Sequence, residues 1–249
     1  MDYLQLMNEL LEKNMSELAY TSWLKLLKKI KPVWHRPTSS SGKYHNKEGG
    51  RVPTIAEHTY EMLYACTKVS RLFGIESKSV DSDLLLLAIS LHDAFKYGES
   101  PELHKYTDSR HDSVAASKID KYRDAFSSLF TSLKKQKSPA TVKVHNSHPP
   151  QSNQQPPQSI SQLSQSISQP SQTLESVPNP AQTTPNPLPE TNNASYTDLL
   201  IETLRFHQGR WSTEAPKQGF DLHDYHPYTV FIHILDMLSA NNCLKSNHK

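Results

Sequence analysis

Histidine and aspartate recur in this chain at positions where helical periodicity expects apolar side chains. His58 shares a face with Met62, Cys66 and Val69, His92 lies with Leu85, Ala88 and Ile89, His207 follows Leu200 and Leu204, and Asp236 lies with Ile232 and Ala240. An ionisable group on a buried stripe requires a partner, because an unpaired polar group is costly to desolvate. Taken singly, each histidine is better explained as a core residue with a satisfied hydrogen bond, and Asp93 as a polar helix end. Together they form the donor set of a divalent metal: neutral imidazoles and carboxylates on neighbouring rigid helices. One helix offers His58, a second the adjacent His92 and Asp93, and a last one Asp236. Successive helical residues point about 100° apart, so His92 and Asp93 can flank one ion or face two.

The elements that must position these residues read as helices. Met1 to Lys31 forms one amphipathic run through Leu4, Met7, Leu10, Leu11, Leu18, Trp23, Leu24 and Leu27, which Pro32 stops. Pro53 and Thr54 open a second helix that ends near Gly74. A third, from Asp81 or Asp83 to Lys96, is apolar nearly all round and so belongs at the centre. A fourth covers about His111 to Leu133, and Tyr196 to Phe206 and Pro227 to Leu244 supply two more. No alternating strand pattern survives, so the expected fold is all-α.

Between the helices the composition changes. Eleven of the seventeen prolines fall between Ser138 and Ala194, among Gln, Ser, Thr and Asn and without one aromatic residue. Such a segment buries too little apolar surface to offset its ordering entropy, and QSISQLSQSISQPSQ is a low-complexity repeat. The expected organisation is an N-terminal part (1–137), a long disordered Gln/Ser/Pro-rich insertion (138–195) and a C-terminal part (196–249). That last part is too short to be comfortable alone and is expected to complete the core of the first. The chain as a whole is lean, 35 % hydrophobic with a mean hydropathy of −0.65. Its net charge of +2 gives no strong electrostatic case for a nucleic-acid or membrane partner. Met1 to Glu12 lacks the basic head and apolar run of a secretion signal, and no apolar stretch approaches the ~20 residues of a membrane span. Cys66 and Cys243 both fall in apolar helical patterns and are expected to be buried, reduced thiols of a cytoplasmic protein.

The order His58, then His92-Asp93, then Asp236 resembles that of the HD-domain superfamily of metal-dependent phosphohydrolases. PTSSSGKYHN (Pro37 to Asn46) is similar to the segment before the first metal-binding helix in a branch common in phages, bacteria and archaea, and AEHTYEM (Ala56 to Met62) resembles its first-histidine motif. ISLHDAFKYG (Ile89 to Gly98) looks like the HD motif with its trailing lysine, and FHQGRWS (Phe206 to Ser212) like a histidine-glycine-tryptophan motif. FIHILDMLSA (Phe231 to Ala240) resembles the terminal motif with the last aspartate. The resemblance covers both flanks and omits the insertion. It implies an HD-domain helical bundle whose metal core is His58, His92, Asp93 and Asp236, with His111 and His207 completing a second site in members that hold two ions. Asp93 would then bridge, and Lys96 would reach a substrate phosphate as a point charge. Arg210 and His45 are further substrate-contact candidates, and His111 or His207, where not bound to metal, would protonate the leaving oxygen. His233, one turn before Asp236, is a candidate support for the ligands. Three departures stand out: Gly49 and Gly50 lie farther from His58 than the family pattern has them, Gln208 follows His207 where some relatives have a second histidine, which weakens the two-metal case, and, the largest, the insertion separates His111 from His207.

The implied activity is hydrolysis of a phosphate mono- or diester, of a small nucleotide or an oligonucleotide end, by water activated on one or two divalent ions. Mn, Fe, Co, Ni and Zn all suit such a site, with Mg a further candidate. A single-strand exonuclease is the alternative within this class, set back because no basic-aromatic stripe would track a strand. The alternative outside it is a nucleotide-sensing or scaffolding module without turnover, whose insertion binds a protein partner. The sequence leaves substrate, metal and oligomeric state open.

Overall fold

Eight α-helices occur in the computed structural model, which describes residues 1–39, 50–137, 195–216, 221–241 and 243–244. They are α1 (Tyr3–Asn14), α2 (Glu17–Ile30), α3 (Ile55–Val69), α4 (Val80–Leu91), α5 (His111–Asp120), α6 (Arg123–Lys137), α7 (Tyr196–Phe206) and α8 (Pro227–Ala240). Among the described residues there is no β-strand, only an isolated antiparallel bridge between Pro37 and Thr54, so the fold is all-α. The helices belong to one compact unit, built from the described residues of Met1–Ser138 and Pro187–Lys249. The insertion expected at 138–195 falls, apart from Ser195, outside the described residues.

The leucine-rich run takes the central place that an all-round apolar helix requires. Ser79 caps α4 by accepting from the Ser82 amide, Asp81 and Asp83 in its first turn complement the helix dipole, and every residue from Ser82 to Leu91 is buried. Burying each leucine stabilises the fold by roughly 1.5–3 kcal/mol. Around α4 stand α3, α6, α7 and α8, while α5 lies against α7, α7 against α8 and α1 against α3. Helices from before residue 138 and after residue 194 thus share one hydrophobic core, from Met7 and Trp23 through Leu84 to Leu204 and Ile232.

Several element boundaries differ from the sequence expectation. The run to Lys31 is two helices, because Met15 is extended and Ser16 starts α2 with its hydroxyl accepting from the Ala19 amide. Asp83 holds that break, accepting from the Ser16 amide at 2.9 Å and hydroxyl at 2.5 Å. The expected fourth helix is likewise broken between α5 and α6, where the Tyr122 amide donates to Ile119 at 2.8 Å. The third helix ends at Leu91, earlier than Lys96, and α8 ends at Ala240, where the Asn241 side chain donates to the Met237 carbonyl. Cys243 therefore lies past the helix and is exposed, whereas Cys66 is buried, its thiol pushed up to about 12 by that burial. No described helix is long and apolar enough to cross a membrane.

Candidate metal centre

Helix ends deliver most of the cluster. α3 starts at Thr54, whose hydroxyl accepts from the Glu57 amide, and this sets His58 one turn inside the helix. α4 stops at Leu91, so His92 is its C-cap and Asp93 opens a series of turns in which the Lys96 amide donates to the Asp93 carbonyl at 3.0 Å. Gly98, at a φ of +74°, completes those turns by donating to Phe95. His207 is in the same way the C-cap of α7, His111 is the first residue of α5, and Asp236 projects from the middle of α8.

Hydrogen bonds fix the orientation of all four rings. Nδ1 of His92 lies 2.6 Å from the Ile89 carbonyl, Nδ1 of His111 2.9 Å from that of Asp108, and Nδ1 of His207 2.8 Å from that of Leu204. A carbonyl only accepts, so each Nδ1 carries the hydrogen and each Nε2 presents a lone pair. His58 Nδ1 lies 2.9 Å from the Ser239 hydroxyl, whose own hydrogen goes to Glu61, so there too Nδ1 donates. This is the outer support by which proteins fix metal-binding imidazoles.

The Nε2 atoms then crowd together. Those of His58 and His92 are 3.2 Å apart, and His58 Nε2 is 3.0 Å from Oδ1 of Asp236. Asp93 Oδ2 lies 3.7 Å from His92 Nε2 and 3.9 Å from His58 Nε2, while its Oδ1 faces His111 Nε2 at 3.1 Å and His207 Nε2 at 3.9 Å. Lone pairs so disposed repel unless positive charge stands among them. One proton on His58 would serve only one contact, and Asp93 Oδ2 and His207 Nε2 are buried without any hydrogen-bond partner. A divalent cation satisfies several such donors at once, so the residues present suit one. Two groups have their donor atoms close enough to hold an ion, His58 with His92 and Asp93, and Asp93 with His111 and His207.

Electrostatics keeps the donors in their binding forms. Burial lowers the His92 pKa, and burial together with the neighbouring His92 and His111 holds His207 down to about 3. Burial alone would raise the Asp93 carboxyl, but the Lys96 charge and the His92 ring outweigh it and keep it well below the ordinary carboxylate value. The Asp236 carboxyl is held low against the same burial by the adjacent His58 ring, 3.0 Å from its Oδ1, and by the His92 ring. Both carboxylates are ionised at neutral pH and both of these imidazoles neutral, as metal ligation demands.

No family model, curated protein or solved structure matches the chain. The cluster itself is compatible with an HD-type metal site on a helical scaffold. Of the residues singled out in the sequence, His58, His92, Asp93, His111, His207 and Asp236 come together in it, and Lys96 joins them with Nζ 3.0 Å from Asp93 Oδ1. Arg210 does not join through any hydrogen bond or ion pair among the described residues; its guanidinium lies over the Trp211 ring, 4.6 Å from the centroid. His45 lies outside the described residues. His233 supports the site from behind, its Nδ1 donating to the His207 carbonyl at 2.9 Å. Ser239 and Glu61, which orient His58, were missed, although each lies three residues from a ligand on the same helix. The side chains of Asp236 and Lys96, 17 % and 11 % exposed against 1–3 % for the four histidines and Asp93, are the members of the cluster most open to solvent.

Proposed function

We propose that the chain is a metal-dependent phosphohydrolase that hydrolyses a phosphate mono- or diester, with a nucleotide as the substrate class. The observation that supports this most is the pair of buried donor groups, His58 with His92 and Asp93 and Asp93 with His111 and His207, in which Asp93 Oδ2 and His207 Nε2 have no hydrogen-bond partner. His58, His92, Asp93 and Asp236 would hold a divalent ion of the Mn, Fe, Co, Ni or Zn kind. Bound there, such an ion would lower the pKa of water and neutralise charge on a phosphoryl group.

The remaining work falls to the chain's own side chains. Lys96 is held in place by Asp93 and His111 with its side chain 11 % exposed, and its charge would attract and orient a substrate phosphate at the cluster. His207 Nε2, buried, neutral and without a partner, is the group available to take up a proton at the reacting oxygen. Asp236, its Oδ1 3.0 Å from His58 Nε2, would complete the ligand set beside His58 and hold that ring in place.

The test compares the wild type with Asp93→Ala and Asp236→Ala for bound metal and for Mn-dependent hydrolysis of a generic phosphodiester and a nucleotide panel. Wild type is expected to carry metal and release product, and both variants to stay helical by circular dichroism while product formation falls to background. A metal-free, inert wild type would overturn the reading and leave a binding or scaffolding role.

A further inference from the structure

We infer that the chain holds one divalent ion, not two, because the Lys96 ammonium already occupies the second cation position, between Asp93 Oδ1 and His111. This rests on the metal-binding reading above and narrows it. The two carboxylate oxygens of Asp93 have different surroundings. Oδ2 faces His58 and His92 and has no hydrogen bond, whereas Oδ1 receives Lys96 Nζ at 3.0 Å. The same Nζ lies 3.3 Å from His111 Nε2. Since His111 Nδ1 donates to the Asp108 carbonyl, its Nε2 is an acceptor, and the lysine supplies hydrogen to two of the three ligand atoms of a second ion.

Gln208 competes for the same ligand atom. Its amide nitrogen lies 3.0 Å from His111 Nε2, so a second donor is directed at the lone pair. The sequence departure at this residue thus has a structural counterpart: where another imidazole would add a ligand, an amide donor adds competition for one.

Charge points the same way. Asp93 and Asp236 contribute two negative charges and Lys96 one positive, so the groups facing the cluster sum to −1. One divalent ion brings the total to +1 and two bring it to +3, in a site where four histidines and Asp93 are buried. A like-charged ammonium within hydrogen-bond distance of the bridging carboxylate opposes the second ion directly. His207, the third donor of that second group, then keeps its Nε2 for the single ion or for a proton.

Metal per chain, measured by plasma mass spectrometry after saturation with Mn2+ and gel filtration, tests this without reference to activity, and the Mn2+ electron paramagnetic resonance spectrum reports whether two ions couple. Wild type and Lys96→Arg, which keeps the charge, are expected to hold one uncoupled ion. Lys96→Ala is expected to hold two, the second more weakly, and Lys96→Gln gives the same comparison if the alanine variant does not fold. Two ions in wild type, or one ion in both neutral variants, would overturn the inference. No ion in wild type would instead overturn the metal-binding reading beneath it.

Discussion

His92 and His207 lie so deep that burial opposes their protonated forms, and His207 is held down to about 3. An unfolded histidine titrates near 6.5, so below about pH 6.5 the unfolded chain binds protons that these rings refuse in the native state. Stability contributed by the neutral rings is therefore fully present above about pH 6.5 and is lost as pH falls toward about 3. Asp93 and Asp236, held below the ordinary 3.8, act with the same sign below about pH 4. With metal removed by chelator, the melting temperature should fall between pH 7 and pH 4.5. His207→Gln should flatten that fall by on the order of 2 kcal/mol, since one pH unit corresponds to about 1.4 kcal/mol per group. Parallel melting curves in the two proteins would show that His207 is not held neutral by the fold. The ligands themselves were legible because His58, His92 and Asp236 interrupt apolar stripes. His111 was not legible in that way, because it opens its helix and interrupts no stripe. Which partner Lys96 turns to was hidden as well, since a flexible side chain one turn beyond Asp93 can face either substrate or carboxylate.

The helix termini that carry His92 and His207 use one device: each histidine caps its helix and returns Nδ1 to the carbonyl three residues back, where the ending helix leaves acceptors free. Beyond His207 the chain must turn sharply, and Gly209 does so at a φ of +59° with the His233 ring packed where a side chain would be. A Cβ there would stand 2.7 Å from His233 Cε1. Gly209→Ala should therefore cost at least about 1–3 kcal/mol from the backbone conformation alone, and it should also weaken metal binding by displacing the ring that supports the His207 carbonyl. Thermal denaturation and a metal titration check the two effects. An unchanged melting temperature would mean that the turn relaxes without strain. Periodicity located the helices well but not their breaks. The interruption at Ser16 depends on Asp83, which is remote in sequence, and neither Gly nor Pro marks it.

On the scale of the molecule, two stretches of chain must meet for the cluster to exist. α3, α4 and α5 bring His58, His92, Asp93 and His111, while α7 and α8 bring His207 and Asp236 from beyond residue 194. The core is shared in the same way, with Leu200 and Ile232 buried alongside Leu84 and Leu87. The described members of that core and of the cluster come from both sides of residues 138–194. Their reading as an insertion rests on composition, which signals a lack of core-forming residues but says nothing of any partner. Loop closure then gives a quantitative expectation. Replacing 138–194 by a flexible Gly/Ser linker about a quarter as long removes two doublings of loop length, which should stabilise the fold by about 1 kcal/mol. Urea denaturation should show that small gain with an unchanged slope, and the shortened protein should bind metal as the full chain does. A large loss of stability, or loss of metal with the helices intact, would mean that these residues contribute structure to the bundle and are more than a connection across it.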